Sequence, residues 1–223
     1  MYQIFRLLCF VVLLSALAVS AAGRKGELGN EPDLTVWSFS EDKDGDIWVE
    51  VSHLFIEEPS FHLELARNRF LEEDYEESAY SIRKAAAYLG LHSDYTKGEY
   101  KKDLKTYAKD LLVIAKQVEK GKVKSVKEMD TLFGKVYTSL AGYAKEKSKQ
   151  SWTKKAVRKT GHEMHAAITY MEKSAKASGR KIKDKTKAVM KKAKAAASKM
   201  KKGEKAKTED VEKAMEEEYW GTY

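Results

Sequence analysis

Apolar residues along most of this chain recur at alternating intervals of three and four, which places them on one side of an α-helix. The clearest series run through residues 100–118, 129–143, 164–175 and 182–200. Proline, which disrupts helix interiors, does not occur after Pro59. The pattern therefore predicts a mainly helical chain from residue 60 onward, folded as an antiparallel bundle with short loops.

Local signals divide this region into separate helices. A side-chain oxygen three residues before a glutamate, the spacing of a capping box, occurs at Asp74, Thr96 and Ser125. Glycines that suit the ends of the preceding helices are Gly90, Gly121, Gly179 and Gly203. Together these signals predict helices over 60–73, 75–89, 97–120, 126–152, 155–178, 180–202 and 208–219.

The pattern changes before residue 60. The segments LTVWSF and IWVEVSHLF flank the turn-forming run EDKDGD, which predicts a short β-hairpin or an irregular cap. The same run aligns partly with a calcium-binding loop. Val51 stands where that loop needs its last acidic ligand, so a turn is favoured.

Two parts of the chain resemble each other, and their matching residues are always the same distance apart in sequence. We call this distance, which is the one from Phe70 to Trp152, the repeat offset. Corresponding positions carry similar residues in five pairs: Phe70 and Trp152, Ile82 and Met164, Ala85 and Ala167, Tyr88 and Tyr170, and Leu89 and Met171. The first copy is acidic and the second is basic. An internal repeat of a helix-turn-helix is therefore predicted.

The N-terminal segment has the composition of an export signal. Arg6 precedes an apolar run over residues 7–19, and the small residues Ser20, Ala21 and Ala22 follow it. Cleavage after Ala22 would leave a chain without cysteine, because Cys9 is the only one. This excludes disulfides and thiolate chemistry, and it favours a bacterial periplasm over a disulfide-rich secreted protein.

Charge is segregated along the chain, although the net charge is only +8. Residues 27–77 hold sixteen acids against three basic residues, and residues 208–223 hold six acids against one lysine. Residues 181–207 instead hold twelve lysines against two acids. Intramolecular or intermolecular attraction between these segments is expected.

The lysine-rich segment is the main candidate for a binding surface. Its ten candidate contact residues are Lys181, Lys183, Lys185, Lys187, Lys191, Lys192, Lys194, Lys199, Lys201 and Lys202. It has no arginine and no aromatic residue, so base-specific or stacking contacts to nucleic acid are not expected. The apolar series from Ile182 to Met200 predicts a bundle helix with a lysine-covered outer side.

The segment GHEMH is the most site-like motif. His162 and His165 lie three apart on a predicted helix and could both face one metal ion. A zinc-protease helix needs histidines four apart, and no third ligand is evident in sequence. Two histidines beside the helical core are the favoured interpretation. No nucleophile, phosphate loop or cofactor motif is present, so no catalytic residue and no cofactor is expected.

Residues 57–200 carry a family resemblance. EEPSFHLELARNRFLEEDYEESAYSIRKAAAYLGL and WTKKAVRKTGHEMHAAITYMEKSA resemble exported, all-helical bacterial proteins of the YfdX type. The resemblance rests on packing residues, so it implies a fold and a weak association with envelope stress but no binding residue.

These observations predict a mainly α protein, an antiparallel bundle of two related halves with a small N-terminal cap that could contain a β-hairpin. The expected divisions are a signal peptide (1–22), an acidic cap (23–59), the bundle (60–203) and a short acidic helix or tail (204–223). The favoured function is non-enzymatic binding or scaffolding in the periplasm. Alternatives are a polyanion or membrane-surface binder acting through 181–207, and a histidine-based metal sensor. The partner is an unknown protein or an anionic envelope surface, homo-oligomer formation stays open, and genomic nucleic acid is not expected.

Overall fold

The computed structural model describes residues 47–94, 96 and 99–216 of the chain. In these ranges it contains α1 (Ile47–Leu71), α2 (Tyr75–Asp94), α3 (Glu99–Glu119), α4 (Val126–Thr153), α5 (Val157–Ala177), α6 (Asp184–Lys201) and α7 (Thr208–Met215). The described ranges contain no β-strand. The prediction of a mainly α bundle is confirmed. None of the described helices is both long and apolar enough to cross a membrane.

Consecutive helices pack against each other in two successions of three. α2 packs between α1 and α3, and α5 packs between α4 and α6. α4 also packs against α1 and α3, and α5 packs against α1, so the two successions share one hydrophobic core. α7 packs against α6 and, over a smaller area, against α4. We call α1–α3 unit 1 and α4–α6 unit 2.

The core is made of the residues that the periodic spacing singled out. The whole series of residues 129–143 is buried, namely Met129, Phe133, Val136, Leu140 and Tyr143. The series at residues 164–175 is buried as well. In α3, Leu104, Leu111, Ile114 and Val118 are buried, while Tyr100 and Tyr107 are partly buried against the core.

The turns that close the two helical hairpins have the same backbone hydrogen bonds, displaced by the repeat offset. In the α1–α2 turn the amides of residues 72–75 and 78 donate to five carbonyls. In the α4–α5 turn the amides of residues 154–157 and 160 donate to the five matching carbonyls. Each turn has one non-glycine residue with positive φ, Glu73 at 62° and Lys155 at 59°.

The third helices of the two units also end in matching turns. Gly121, with φ 62°, donates its amide to the carbonyl of Val118 at 2.9 Å. Gly203, with φ 76°, donates to Met200 at 2.9 Å. The left-handed φ at both glycines is the backbone geometry that ends a helix here, and a residue with a Cβ adopts it at a cost.

The hairpin prediction is wrong for its second strand. Residues 47–55 belong to α1, which continues through Pro59 rather than beginning after it. The sequence IWVEVSHLF alternates, but Ile47, Val51 and Leu54 also fit the period of a helix, and a short apolar run cannot separate the two. The first predicted strand, LTVWSF, lies outside the described residues.

One helix-end prediction also differs from the structure. α2 continues past Gly90 to Asp94, so Gly90 is an interior helix position. Thr96 donates its hydroxyl to the carbonyl of His92 at the end of α2, and its predicted capping of α3 stays a prediction. The prediction at Asp74 is confirmed, because its carboxylate accepts the amide of Glu77 at 3.2 Å.

Ser125 precedes α4 as expected, but its side chain makes a different contact. Its hydroxyl lies 3.4 Å from the carboxylate of Glu128 and does not cap a backbone amide. Glu128 instead accepts the amide of Lys124 at 3.1 Å. The glutamate half of the predicted capping box is therefore shifted by one residue toward the N-terminus.

Candidate functional site

The lysine-rich segment forms an ordered helix of the bundle. α6 begins at Asp184, whose carboxylate lies at the positive end of the helix dipole and pairs with Lys187 at 3.0 Å. It ends at Lys201, before the turn at Gly203. Lysine and alanine are strong helix formers, so the composition that resembles a disordered tail also favours this helix.

One side of α6 is buried. Its buried residues are Thr186, Met190, Ala193, Ala196, Ala197 and Met200. Four of the six residues in the predicted series are among them, while Val189 is half-buried and Ile182 precedes the helix. The expectation of a narrow seam of small residues is confirmed.

α5 and α6 approach each other closely at Gly161. A Cβ placed on this residue would lie 2.7 Å from the backbone nitrogen of Lys201 and 2.8 Å from the Cβ of Met200. Both of these atoms belong to α6, and the nitrogen is part of its backbone. The absence of a side chain at this position is therefore what allows α6 to pack this closely on the bundle.

The other side of α6 and the residues next to its two ends carry the lysines, which we call the lysine face (Lys181, Lys183, Lys185, Lys187, Lys191, Lys192, Lys194, Lys199, Lys201 and Lys202). Eight of these residues are exposed, while Lys194 and Lys201 are half-buried. Lys194 pairs with Glu172 of α5 at 3.1 Å. The other exposed residues between the lysines are the acid Asp184 and the small residues Ala188, Ala195 and Ser198.

The matching helix α3 shows that packing does not require this charge. The apolar series of α6 follows the series of α3 by the repeat offset at every position, from Tyr100 and Ile182 to Val118 and Met200. Three of the outer positions change from an acid in α3 to a lysine in α6, and Lys102 and Asp184 show the reverse change. Asp103, Asp110 and Glu119 of α3 correspond to Lys185, Lys192 and Lys201 of α6.

One of these differences removes an ion pair. In unit 1, Arg83 of α2 contacts Glu119 of α3 at 2.6 Å. The corresponding residues of unit 2 are His165 and Lys201, which cannot form that pair. Unit 2 thus has a more positive surface where unit 1 neutralises its charge.

The two histidines of the GHEMH motif lie on α5, and both are half-buried. Among the described residues no group of three or more metal-ligating side chains gathers, so no third ligand joins them there. Of the histidines earlier in the chain, His62 contacts Glu58 at 3.3 Å within α1, and His53 lies outside the residues whose side chains are described. Metal binding by His162 and His165 stays a prediction.

Glu163, between these histidines, is the buried charge that sequence reasoning missed. It is only 3% exposed, and its Oε2 atom has no hydrogen-bond partner. Burial raises the pKa of this carboxyl above its ordinary value of 4.5, while the Ser151 hydroxyl and nearby lysines act in the opposite direction. The local sequence contains no signal for this burial, since position 163 lies beside Met164 but outside the apolar series of α5.

Two ion pairs join the acidic helix α1 to unit 2. Arg67 contacts Asp130 of α4 at 2.8 Å, and Glu64 contacts Lys173 of α5 at 3.1 Å. The second pair places an acid of the first copy against a base of the second. Lys173 lies outside the lysine-rich segment 181–207, so the attraction expected between the acidic segments and that segment stays a prediction, and part-exposed pairs such as these each contribute little stability.

No family model, no curated protein and no solved structure matches the chain. The resemblance to the YfdX type accordingly stays a prediction. The functional argument rests on the contacts and charges of the chain itself.

Proposed function

We propose that this protein is a non-enzymatic helical-bundle binding protein that engages an anionic partner through the lysine face of α6. The observation that carries this proposal is the comparison of α6 with α3. Both helices bury the same series of positions, yet α3 does so with acids and bases mixed on its outer side. Since packing leaves the outer charge free, the run of lysines on α6 is best explained by contact with another molecule.

A polyanion fits this surface better than an acidic protein does. Protein interfaces usually contain aromatic or large apolar anchors surrounded by polar residues. Apart from Asp184 at its first position, the exposed residues among the lysines of α6 are alanine and serine, so no such anchor is present there. Lysines regularly spaced along one helix can neutralise several phosphates or sulfates without such an anchor. Anionic lipid, lipopolysaccharide and extracellular DNA share that chemistry.

The test compares two triple variants of equal charge change. Lys185→Asp with Lys192→Asp and Lys201→Glu places at these positions the acids that α3 carries at the matching ones. Lys101→Glu with Lys105→Glu and Lys109→Glu is the control, since these three α3 lysines are exposed. Binding to phosphatidylglycerol vesicles and to a DNA duplex is measured against salt concentration.

We expect the α6 variant to lose affinity by about tenfold or more and to show a shallower salt dependence. The α3 variant should stay within about twofold of the wild type. Equal losses in both variants would assign binding to net charge and would refute the lysine face. If the wild type binds neither the vesicles nor the DNA duplex, the proposal of a polyanionic partner is refuted.

We further propose that the protein acts in the periplasm, after export directed by residues 1–22. The support is the composition of that segment and the lack of cysteine after Cys9. A role in envelope stress follows only from the resemblance to the YfdX type. Periplasmic fractionation with N-terminal sequencing, expected to begin at Gly23, would test the location.

We also propose that units 1 and 2 arose by duplication of a segment as long as the repeat offset. The turn hydrogen bonds, both positive-φ positions of the hairpin turns and both terminal glycines agree with that single offset. Two unrelated amphipathic hairpins would not be expected to agree at each of these backbone positions. Buried positions that recur at the repeat offset in homologous sequences would support this proposal, and their absence would contradict it.

A further inference from the structure

The short helix α7 continues the correspondence between the units. Its first residue, Thr208, follows the first residue of α4, Val126, by the repeat offset, and both helices follow a glycine turn by the same distance. The amide of Glu128 donates to Ser125 at 3.1 Å, and the amide of Asp210 donates to Lys207 at 3.1 Å. α7 therefore matches the first two turns of α4.

The buried positions agree as well. Val211 and Met215 of α7 correspond to Met129 and Phe133 of α4, and all four side chains are buried. α4 packs against α3 and α1, and α7 packs against the corresponding helices α6 and α4. We call the surface of α6 and α4 that α7 covers the α7 seat. α7 therefore packs on unit 2 at the surface that corresponds to the one on which α4 packs in unit 1.

α7 holds this surface with few contacts. It has eight residues, and its buried side chains are Val211, Ala214 and Met215. Burial of two larger apolar side chains stabilises this contact only modestly, and a helix of this length has little stability of its own. A longer helix with the same apolar register could therefore compete for the seat.

The start of α1 has that register. Ile47, Val51, Leu54 and Phe55 precede, by the repeat offset, four residues that are all buried in α4, namely Met129, Phe133, Val136 and Tyr137. Residues 47–61 also carry three glutamates and no lysine or arginine, which suits a seat formed largely by the lysine-rich helix α6. α7 itself is acidic, with Glu209, Asp210 and Glu212 against Lys213.

We infer that the α7 seat is a self-association surface, and that its second occupant is the start of α1 from another copy of this chain. Docking there would place unit 1 of the second molecule after unit 2 of the first, in the same way that unit 2 follows unit 1 within one molecule. α7 covers the surface in the single molecule and so limits this association. Contacts of this head-to-tail kind do not close on themselves by a two-fold axis, so concentration drives them beyond a dimer.

The test opens the seat and supplies the occupant separately. Val211→Asp with Met215→Asp, made in the full protein, places two charges on the buried side of α7. The probe is a fluorescent peptide of residues 47–61, and the control peptide carries Val51→Asp, at the position that matches Phe133. Glu209→Gln, an exposed change on α7, is the matched protein control.

We expect the double variant to bind the probe peptide at least about tenfold more tightly than wild type, and neither protein to bind the control peptide. The mean mass of the double variant, measured by light scattering, should rise with protein concentration and fall when the probe peptide is added. The Glu209→Gln protein should behave as wild type. A helical double variant that stays monomeric, or that binds the probe no better than wild type, would overturn the inference.

A milder change covers the case in which the double variant loses its helical circular dichroism signal. Met215→Ala trims one buried side chain of α7 and leaves the rest of the helix intact. It should give an intermediate gain in probe binding. No gain over wild type would overturn the inference by itself.

Discussion

Units 1 and 2 have the same backbone plan and opposite surfaces. Their hairpin turns share five hydrogen bonds and a positive-φ residue, and their third helices end at glycines separated by the repeat offset. Residues 47–119 nevertheless carry fourteen acids against ten lysines and arginines, whereas residues 126–201 carry six acids against twenty-one. The buried and turn positions agree, and the exposed positions do not.

This difference separates the positions that the fold constrains from the exposed positions, where it tolerates either charge. Buried side chains and left-handed turn residues are constrained by packing and by backbone sterics. Exposed charges on helices change stability by only a fraction of a kcal/mol in most cases. The lysine face of α6 is therefore the feature of unit 2 that packing explains least.

The largest effect should come from truncating one matched core pair. Ile82 and Met164 are fully buried at corresponding positions of α2 and α5. Replacing either by alanine should lower the free energy of unfolding by about 2–5 kcal/mol, because a cavity remains. Urea denaturation should give similar losses for the two variants. A loss below about 0.5 kcal/mol in only one of them would show that the units are not packed alike.

A smaller loss of stability is expected from a substitution at the close contact between α5 and α6. Gly161→Ala brings a Cβ against the backbone of α6, so we expect a loss of about 1–3 kcal/mol from overpacking. Unit 1 has Ala79 at the corresponding position. Gly90→Ala is the control, since nothing lies within 4 Å of its Cβ, and it should stabilise α2 by about 0.5–1 kcal/mol. A tolerated Gly161→Ala would contradict the close approach of α5 and α6.

Glu163 should make the stability of unit 2 depend on pH in a way that unit 1 does not share, because Ser81 occupies its position there. Its pKa is raised in the folded state, so the folded protein binds the proton more tightly than the unfolded chain does. Stability should therefore fall as pH rises from about 4.5 through the folded pKa, and then level off.

Glu163→Gln should remove that fall, so its stability advantage over wild type should grow with pH across this window. Unfolding in urea at a series of pH values measures it. Ser151→Ala sharpens the test, because the Ser151 hydroxyl lowers the pKa of Glu163. Without that hydroxyl the fall should extend to higher pH. A pH-independent difference between wild type and Glu163→Gln would contradict the burial of this carboxyl.

The smallest effect concerns the two positive-φ residues. Glycine adopts the left-handed conformation without the steric cost that Glu73 and Lys155 incur. Glu73→Gly and Lys155→Gly should each stabilise the protein by up to about 1 kcal/mol, visible as a rise in Tm. Opposite signs at the two positions would show that the turns are less equivalent than their hydrogen bonds indicate.

Most helices and their seams were predictable because the signals are local. The apolar series of residues 129–143, the left-handed glycines and the capping Asp74 each act within one or two turns of helix. The match between α3 and α6 was present in the two apolar series, but it became informative only when both helices were seen to occupy corresponding places in the bundle.

The failures lie where local signals were ambiguous or absent. Residues 47–55 fit a strand and a helix equally well, and Gly90 is compatible with a helix end or with a helix interior. The burial of Glu163 could not be read from its neighbours, because a glutamate beside a core position is usually exposed. Each outcome depends on which other helix covers the residue.

Residue spacing, turn residues and composition were enough to predict the helical class, the seams, the hairpin turns and the uneven distribution of charge. Three features depended on the tertiary structure: α1 runs through Pro59, Glu163 is buried, and α6 approaches α5 closely at Gly161. The cause is the same in each case. Local spacing selects the conformation of a segment, whereas desolvation and close packing depend on partners far away in the chain.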